Sequence, residues 1–175
     1  MKIPEALLAI LNAPDSAGRK EQPITADNIT NFENKVGATL PEEYKDFCIK
    51  YGARSLDDKD IFSFKGVALD KNGKKKKIEI GKISGPPYIE ESYDMFMDER
   101  HNDFAPQLPK GFYPFTFDSG YGSCLLNLSD QPSGKILYLS VKKKIFGSPG
   151  YGWDDVLFVA DSFSEFIESL KPEYL

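Results

Sequence analysis

The sequence predicts an α+β fold, with a central, mostly antiparallel sheet and helices packed around it. Three observations lead there. Two amphipathic helices open the main part of the chain, strand-forming segments follow in pairs, and a capped helix closes it. The paired segments are joined by tight-turn sequence rather than by helical crossovers, which favours antiparallel pairing. One further helix separates two blocks of strands, so the elements are segregated instead of alternating as βαβ units.

Residues 1–24 are expected to be an N-terminal helix and linker, ahead of a domain at 25–175. Pro4 to Leu11 predicts a short helix with Leu7, Leu8 and Leu11 on one side. Asn12 to Pro23 is polar and rich in loop formers. Thr25 is placed to cap the next helix, and Ile24 and Ile29 flank it as a hydrophobic staple. Ile29, Phe32 and Val36 share one face, and Gly37 ends the helix. Pro41 suits the first turn of a second helix, where a missing N–H costs nothing. Glu42 and Glu43 meet the positive end of its dipole. Tyr44, Phe47, Cys48 and Tyr51 recur at helical spacing as a buried stripe, and Gly52 stops it.

Ile61, Phe62 and Phe64 open strand-like sequence. Val67–Leu69 and Lys77–Ile80 flank Asp70-Lys71-Asn72-Gly73, a hairpin signal because Asn-Gly accepts left-handed backbone. Lys74 to Lys77 read either as the charged guard of an edge strand or as a phosphate-binding run, with the edge favoured. A third helix is predicted from Tyr88 to about Arg100, with Ile89, Tyr93, Phe96 and Met97 inward. Glu90, Asp94 and Asp98 repeat every four residues on another face, joined by Glu91 and Glu99. Strands resume with Phe115 and Phe117, the turn Asp118–Gly122, and the segments Cys124–Leu128 and Ile136–Val141 around the turn 130–134. Gly147–Gly152 reads as a flexible glycine-rich connection and Val156–Val159 as a last strand. Ser162-Phe163-Ser164-Glu165 matches a capping box, Phe163, Phe166, Ile167 and Leu170 form the stripe of the closing helix, and Pro172 ends it.

Composition narrows the function. The chain has 175 residues, 41% hydrophobic and 28% charged, enough for one domain with a core that needs no metal or disulfide. A net charge of −5 argues against nucleic acid as partner, since phosphates must be neutralised by Lys and Arg. It suits a basic partner instead. No apolar run approaches the ~20 residues of a membrane span. The run Ala6–Leu11, preceded by Glu5, is too short for a secretory signal. Cytoplasmic residence with two reduced thiols is the expectation.

Catalytic chemistry is not foreseen. His101 is the one histidine and falls at the end of the third helix, which leaves histidine-based zinc sites short of ligands. Cys48 and Cys124 lie on core stripes and make no CxxC pair. The glycines of Gly147–Gly152 are spaced unlike a dinucleotide fingerprint and precede no helix. No cofactor or metal is therefore expected. The carboxylates Glu90, Glu91, Asp94, Asp98 and Glu99 read as either a solvated helix face or an electrostatic docking surface. Tyr121, Tyr151 and Trp153 sit in loops as contact candidates, with Tyr121 and Trp153 equally readable as core.

Three stretches in order resemble the SUKH superfamily, the Smi/Knr-like domain. Ile24–Glu33, Val36–Phe47 and Tyr51-Gly52 resemble its opening helix pair. Phe117–Leu128, with Gly134-Lys135-Ile136, resembles its central strand–turn–strand element, and Val159–Ile167 resembles its closing helix. The resemblance implies an α+β fold and a non-catalytic, protein-binding role. Many bacterial members look like immunity proteins that bind and neutralise a polymorphic or contact-dependent toxin, often a nuclease or deaminase. The alternative it implies is a regulatory scaffold of the cell-wall-signalling type without a toxin partner.

Overall fold

The structure is a computed structural model and describes residues 1–13, 23–130 and 134–175. In chain order its elements are α1 (Glu5–Asn12), α2 (Ala26–Val36), α3 (Glu42–Tyr51), β1 (Arg54–Ser55), β2 (Ile61–Leu69), β3 (Lys75–Ile80), β4 (Lys82–Ile83), α4 (Tyr88–Met97), β5 (Phe112–Pro114), β6 (Thr116–Phe117), β7 (Gly122–Asn127), β8 (Ile136–Ser140), β9 (Leu157–Ala160), α5 (Phe163–Ser169) and β10 (Lys171–Tyr174). This is the α+β arrangement that the segregated elements predict.

The helix ends follow their local chemistry. The Thr25 side chain accepts from the Asn28 amide, and Asn28 Oδ1 accepts from the Thr25 amide at 2.9 Å, so α2 carries a reciprocal cap. Ile24 and Ile29 are both buried as the staple requires. Gly37 closes α2 in the left-handed region at φ 69°. In α5 the Ser162 hydroxyl accepts from the Glu165 amide at 3.1 Å. Glu165 reaches one residue further back than a capping box requires, to the Asp161 amide at 2.9 Å.

The main sheet runs β10-β2-β9-β8-β7-β5, with β3 paired to β2, and every pairing is antiparallel. The Asn72-Gly73 turn forms as expected: Gly73 has φ 76° and Asp70 Oδ1 accepts from the Asn72 and Lys74 amides at 2.8 and 2.9 Å. Lys75, Lys76 and Lys77 are exposed along β3. A smaller antiparallel sheet runs β1-β4-β6; Phe117 of β6 is strand as expected, whereas β1 and β4, two residues each, carry no alternation to read.

Two cores flank the sheet. One joins α1 (Leu7, Ile10, Leu11), α2, α3 and α5 to the inner side chains of β2, β3 and β7. The other holds Leu108, Phe112, Leu125, Leu139, Val141 and Tyr151, with Tyr93, Phe96 and Met97 of α4 packed against it. Strand β7 is buried at every residue, since Cys124 and Leu126 face the first core and Leu125 the second.

Three further expectations are corrected. The third helix ends at Met97 rather than near Arg100, because the Asp98 carboxylate takes the Arg100 amide at 2.8 Å and its guanidinium, turning the chain out of the helix. Pro172 does more than end α5: it lies in β10, paired with Phe64 of β2, where a proline is tolerated at a sheet margin. The 147–152 connection is tied down rather than free. Gly147 N–H donates to Tyr151 O at 2.9 Å, and the Lys142 and Lys144 ammoniums reach the carbonyls of Gly150 and Pro149. Most of the expected linker at 12–23 and the centre of the turn at 130–134 lie outside the described residues.

Candidate functional site

The amphipathic α4 turns Ile89 to the first core and Tyr93, Phe96 and Met97 to the second. Its remaining circumference carries the acidic residues. The chain then doubles back through residues 98–107 and is anchored by Gln107. The Gln107 amide donates to Phe96 O at 2.9 Å, and its side chain donates to Lys142 O at 2.5 Å. Its carbonyl accepts from the Tyr151 hydroxyl at 2.7 Å. One residue therefore links α4, the segment after β8 and the second core.

Between these pieces opens a cleft of about 650 Å³. Glu91, Asp94, Met95 and Phe96 of α4 form one wall. His101, Asn102, Phe104 and Gln107 line the returning loop, and Tyr121, Val141, Lys142 and Lys143 complete the far side. Large apolar side chains are left in water here: Met95 is 63% exposed, Phe104 41% and Tyr121 70%.

Tyr121 is presented by a braced turn. Asp118 Oδ1 accepts from the Gly120 and Gly122 amides at 2.8 and 2.9 Å, while its Oδ2 accepts from the Tyr138 hydroxyl at 2.9 Å. Glu79 of β3 accepts from the Ser119 amide and hydroxyl at 3.2 and 3.0 Å. The Val141 amide donates to Tyr121 O at 2.9 Å, which ties the turn to the end of β8. Burial and the bond to Asp118 both hold the Tyr138 phenol well above its ordinary range.

The acidic helix divides by position. Glu91 and Asp94 are exposed, face the cleft and have no hydrogen bond or ion pair from their side chains among the described residues. Glu90 turns to α2 and pairs with Lys35, raising that ammonium above its usual value. Asp98 is the helix stop, bound by the Arg100 fork, with His101 Nε2 at 4.0 Å. Chiefly because of Arg100, its carboxyl is lowered to about 2. Glu99 is exposed beyond the helix end.

The aromatic candidates also separate. Tyr151 is 1% exposed and belongs to the second core, because its ring packs edge-on to Phe146 and its hydroxyl is bound by Gln107. Burial pushes its phenol up to about 12. Trp153 is 59% exposed, in a short 3-10 turn at Trp153–Asp155, with its edges against Phe112 and Phe146. Of the sequence candidates, the structure brings Glu91, Asp94 and Tyr121 into one cleft. Phe104, Gln107 and Lys143 join them from stretches with no readable period, and Met95 joins from the outer side of α4, where no sequence signal marks an apolar residue as part of a site.

Cys48 and Cys124 are buried, and burial pushes each thiol up to about 12, far from a thiolate nucleophile. Among the described residues, no three His, Cys, Asp or Glu side chains are grouped to hold a metal ion. No helix among them is long and apolar enough to cross a membrane.

Comparison with known proteins adds two findings. The family model described as the SMI1/KNR4 family (SUKH-1) matches residues 23–169. The chain is also similar to the SPbeta prophage-derived uncharacterized protein YokK of Bacillus subtilis (strain 168). The two are 25% identical over 172 residues, covering 90% of this chain and 80% of the relative.

Proposed function

The chain belongs to the SMI1/KNR4 family (SUKH-1), and from that premise we propose that it is a non-catalytic protein-binding module that neutralises a protein toxin. The observation that carries this reading is the cleft. Exposed Met95, Phe104 and Tyr121 stand beside the carboxylates of Glu91 and Asp94, which have no side-chain partner among the described residues, a mix of apolar anchors and polar rim typical of protein interfaces. The net charge of −5 suits a basic toxin domain of nuclease or deaminase type, acting in the cytoplasm. The binding domain is placed at 25–175, with the helix of the 1–24 segment packed into its core.

The decisive experiment is co-expression with the toxin-like domain encoded beside it, scoring growth and then affinity by calorimetry. Rescue with nanomolar binding is expected. Toxicity left unrelieved, with no measurable binding, would move the function to a regulatory scaffold.

A further inference from the structure

We propose that the cleft between α4 and the Tyr121 turn receives an arginine side chain projected by the partner, its guanidinium held by Asp94 and Glu91 against the Tyr121 ring. The inference rests on the protein-binding reading above and names the group that the site takes. Charge selects the cation. Glu91 and Asp94 lie three residues apart on one helix face, both exposed and both without a side-chain partner among the described residues. On the far wall Lys142 is already committed, with its ammonium 2.5 Å from Asp155 Oδ1 and 3.0 Å from Gly150 O. Lys143 remains exposed on that wall, so the attraction for an incoming positive group comes from the α4 carboxylates.

Shape selects arginine over lysine. A guanidinium is planar, pairs with carboxylates through a fork and stacks on aromatic faces, whereas an ammonium is a strongly hydrated point charge. The Tyr121 ring stands in solvent on a turn braced by Asp118, Glu79 and the Val141 amide, so a stacking surface is held in place before a partner arrives. Phe96, Met95 and Val141 offer an apolar floor for the side chain's methylenes. A cleft of about 650 Å³ also leaves room for the backbone on either side of the anchor.

The test needs no toxin. The intact protein, 15N-labelled, is titrated with the acetylated and amidated pentapeptide Gly-Ser-Arg-Ser-Gly, and in parallel with the same peptide carrying neutral citrulline. The expected result is weak saturable binding, with amide shifts clustered at Asp94, Met95, Tyr121 and Val141. Citrulline, Asp94→Asn or Glu91→Gln should each weaken it several-fold, as loss of an exposed ion pair does. Tyr121→Ala should weaken it as well, while the unperturbed remainder of the spectrum reports that each variant is folded. Equal binding of the citrulline peptide, shifts scattered outside the cleft, or no shift at millimolar peptide overturns the proposal. The two readings fail separately. Arginine binding without rescue in co-expression removes the toxin assignment alone. Rescue by a protein whose toxin affinity is unchanged by Asp94→Asn and Tyr121→Ala removes the arginine site alone.

Discussion

Single residues decide how firmly the cleft is built. Asp118 satisfies two backbone amides of its own turn and also the Tyr138 hydroxyl of β8, so one carboxylate couples the turn to the sheet. Gly122 makes this possible by lacking a side chain, because a Cβ there would overlap both Tyr138 Oη and Asp118 Oδ2. Its role is space, not a left-handed backbone, since its φ is not among the positive ones. Gly122→Ala is expected to destabilise the fold by about 1–3 kcal/mol, the usual cost of overpacking a filled site. A urea unfolding midpoint equal to the parent's would contradict this. The turn itself was legible from Asp-Ser-Gly-Tyr-Gly. The clash that requires glycine was not, because it involves Tyr138 on the neighbouring strand.

At the scale of elements, α1 illustrates the same division. Leu7, Leu8 and Leu11 predict a helix, but the polar residues after it suggest a separate appendage. In the structure Leu7 is fully buried, with Ile10 and Leu11 beside it. The Met1–Ala13 end is pinned as Lys2 N–H donates to Glu168 Oε1 at 2.7 Å and Arg54 donates to the Leu11 and Ala13 carbonyls. Leu7→Ala is therefore expected to cost about 2–5 kcal/mol, the range for a large aliphatic deleted from a core. Denaturant unfolding checks it: a loss under ~0.5 kcal/mol, the size of an ordinary surface substitution, would mean that α1 is not part of the core. Strand β7 is covered on both faces, and one sequence cannot show that the second core, with α4 packed against it, takes Leu125. Its apolar run is the pattern of a strand buried on both sides. The short strands β1 and β4, and the proline-containing β10, escaped for a related reason. Their pairing partners supply the order that their own residues do not encode.

Across the whole molecule, charge is arranged unevenly around a modest net value. Lysines crowd β3 and the 142–144 segment, whereas α4 presents its free carboxylates at the opposite wall of the cleft. For a basic partner, that asymmetry steers approach more than it adds affinity. Reversing charge at Asp94 together with Glu91 is expected to slow association several-fold, with a flatter dependence on ionic strength, as exposed charges are screened within about 8–10 Å at physiological salt. Stopped-flow kinetics against the proposed toxin partner measures both, and an unchanged rate would exclude α4 from the encounter surface.

The chain by itself determined the α+β class, the caps and stripes of α2, α3 and α5, the Asn-Gly hairpin and the family. The caps, stripes and hairpin depend on residues a few positions apart, where spacing and side-chain chemistry act directly, and the class and the family rest on the order of such local signals along the chain. It also held the acidic and aromatic candidates, without sorting them. Only the tertiary structure placed Glu91, Asp94 and Tyr121 in one cleft, gave Glu90 to Lys35, and withdrew Tyr151 into the core. The physical reason is that exposure and pairing are properties of two surfaces meeting. Helical periodicity states which side of α4 faces inward, but not which neighbour the other side will find.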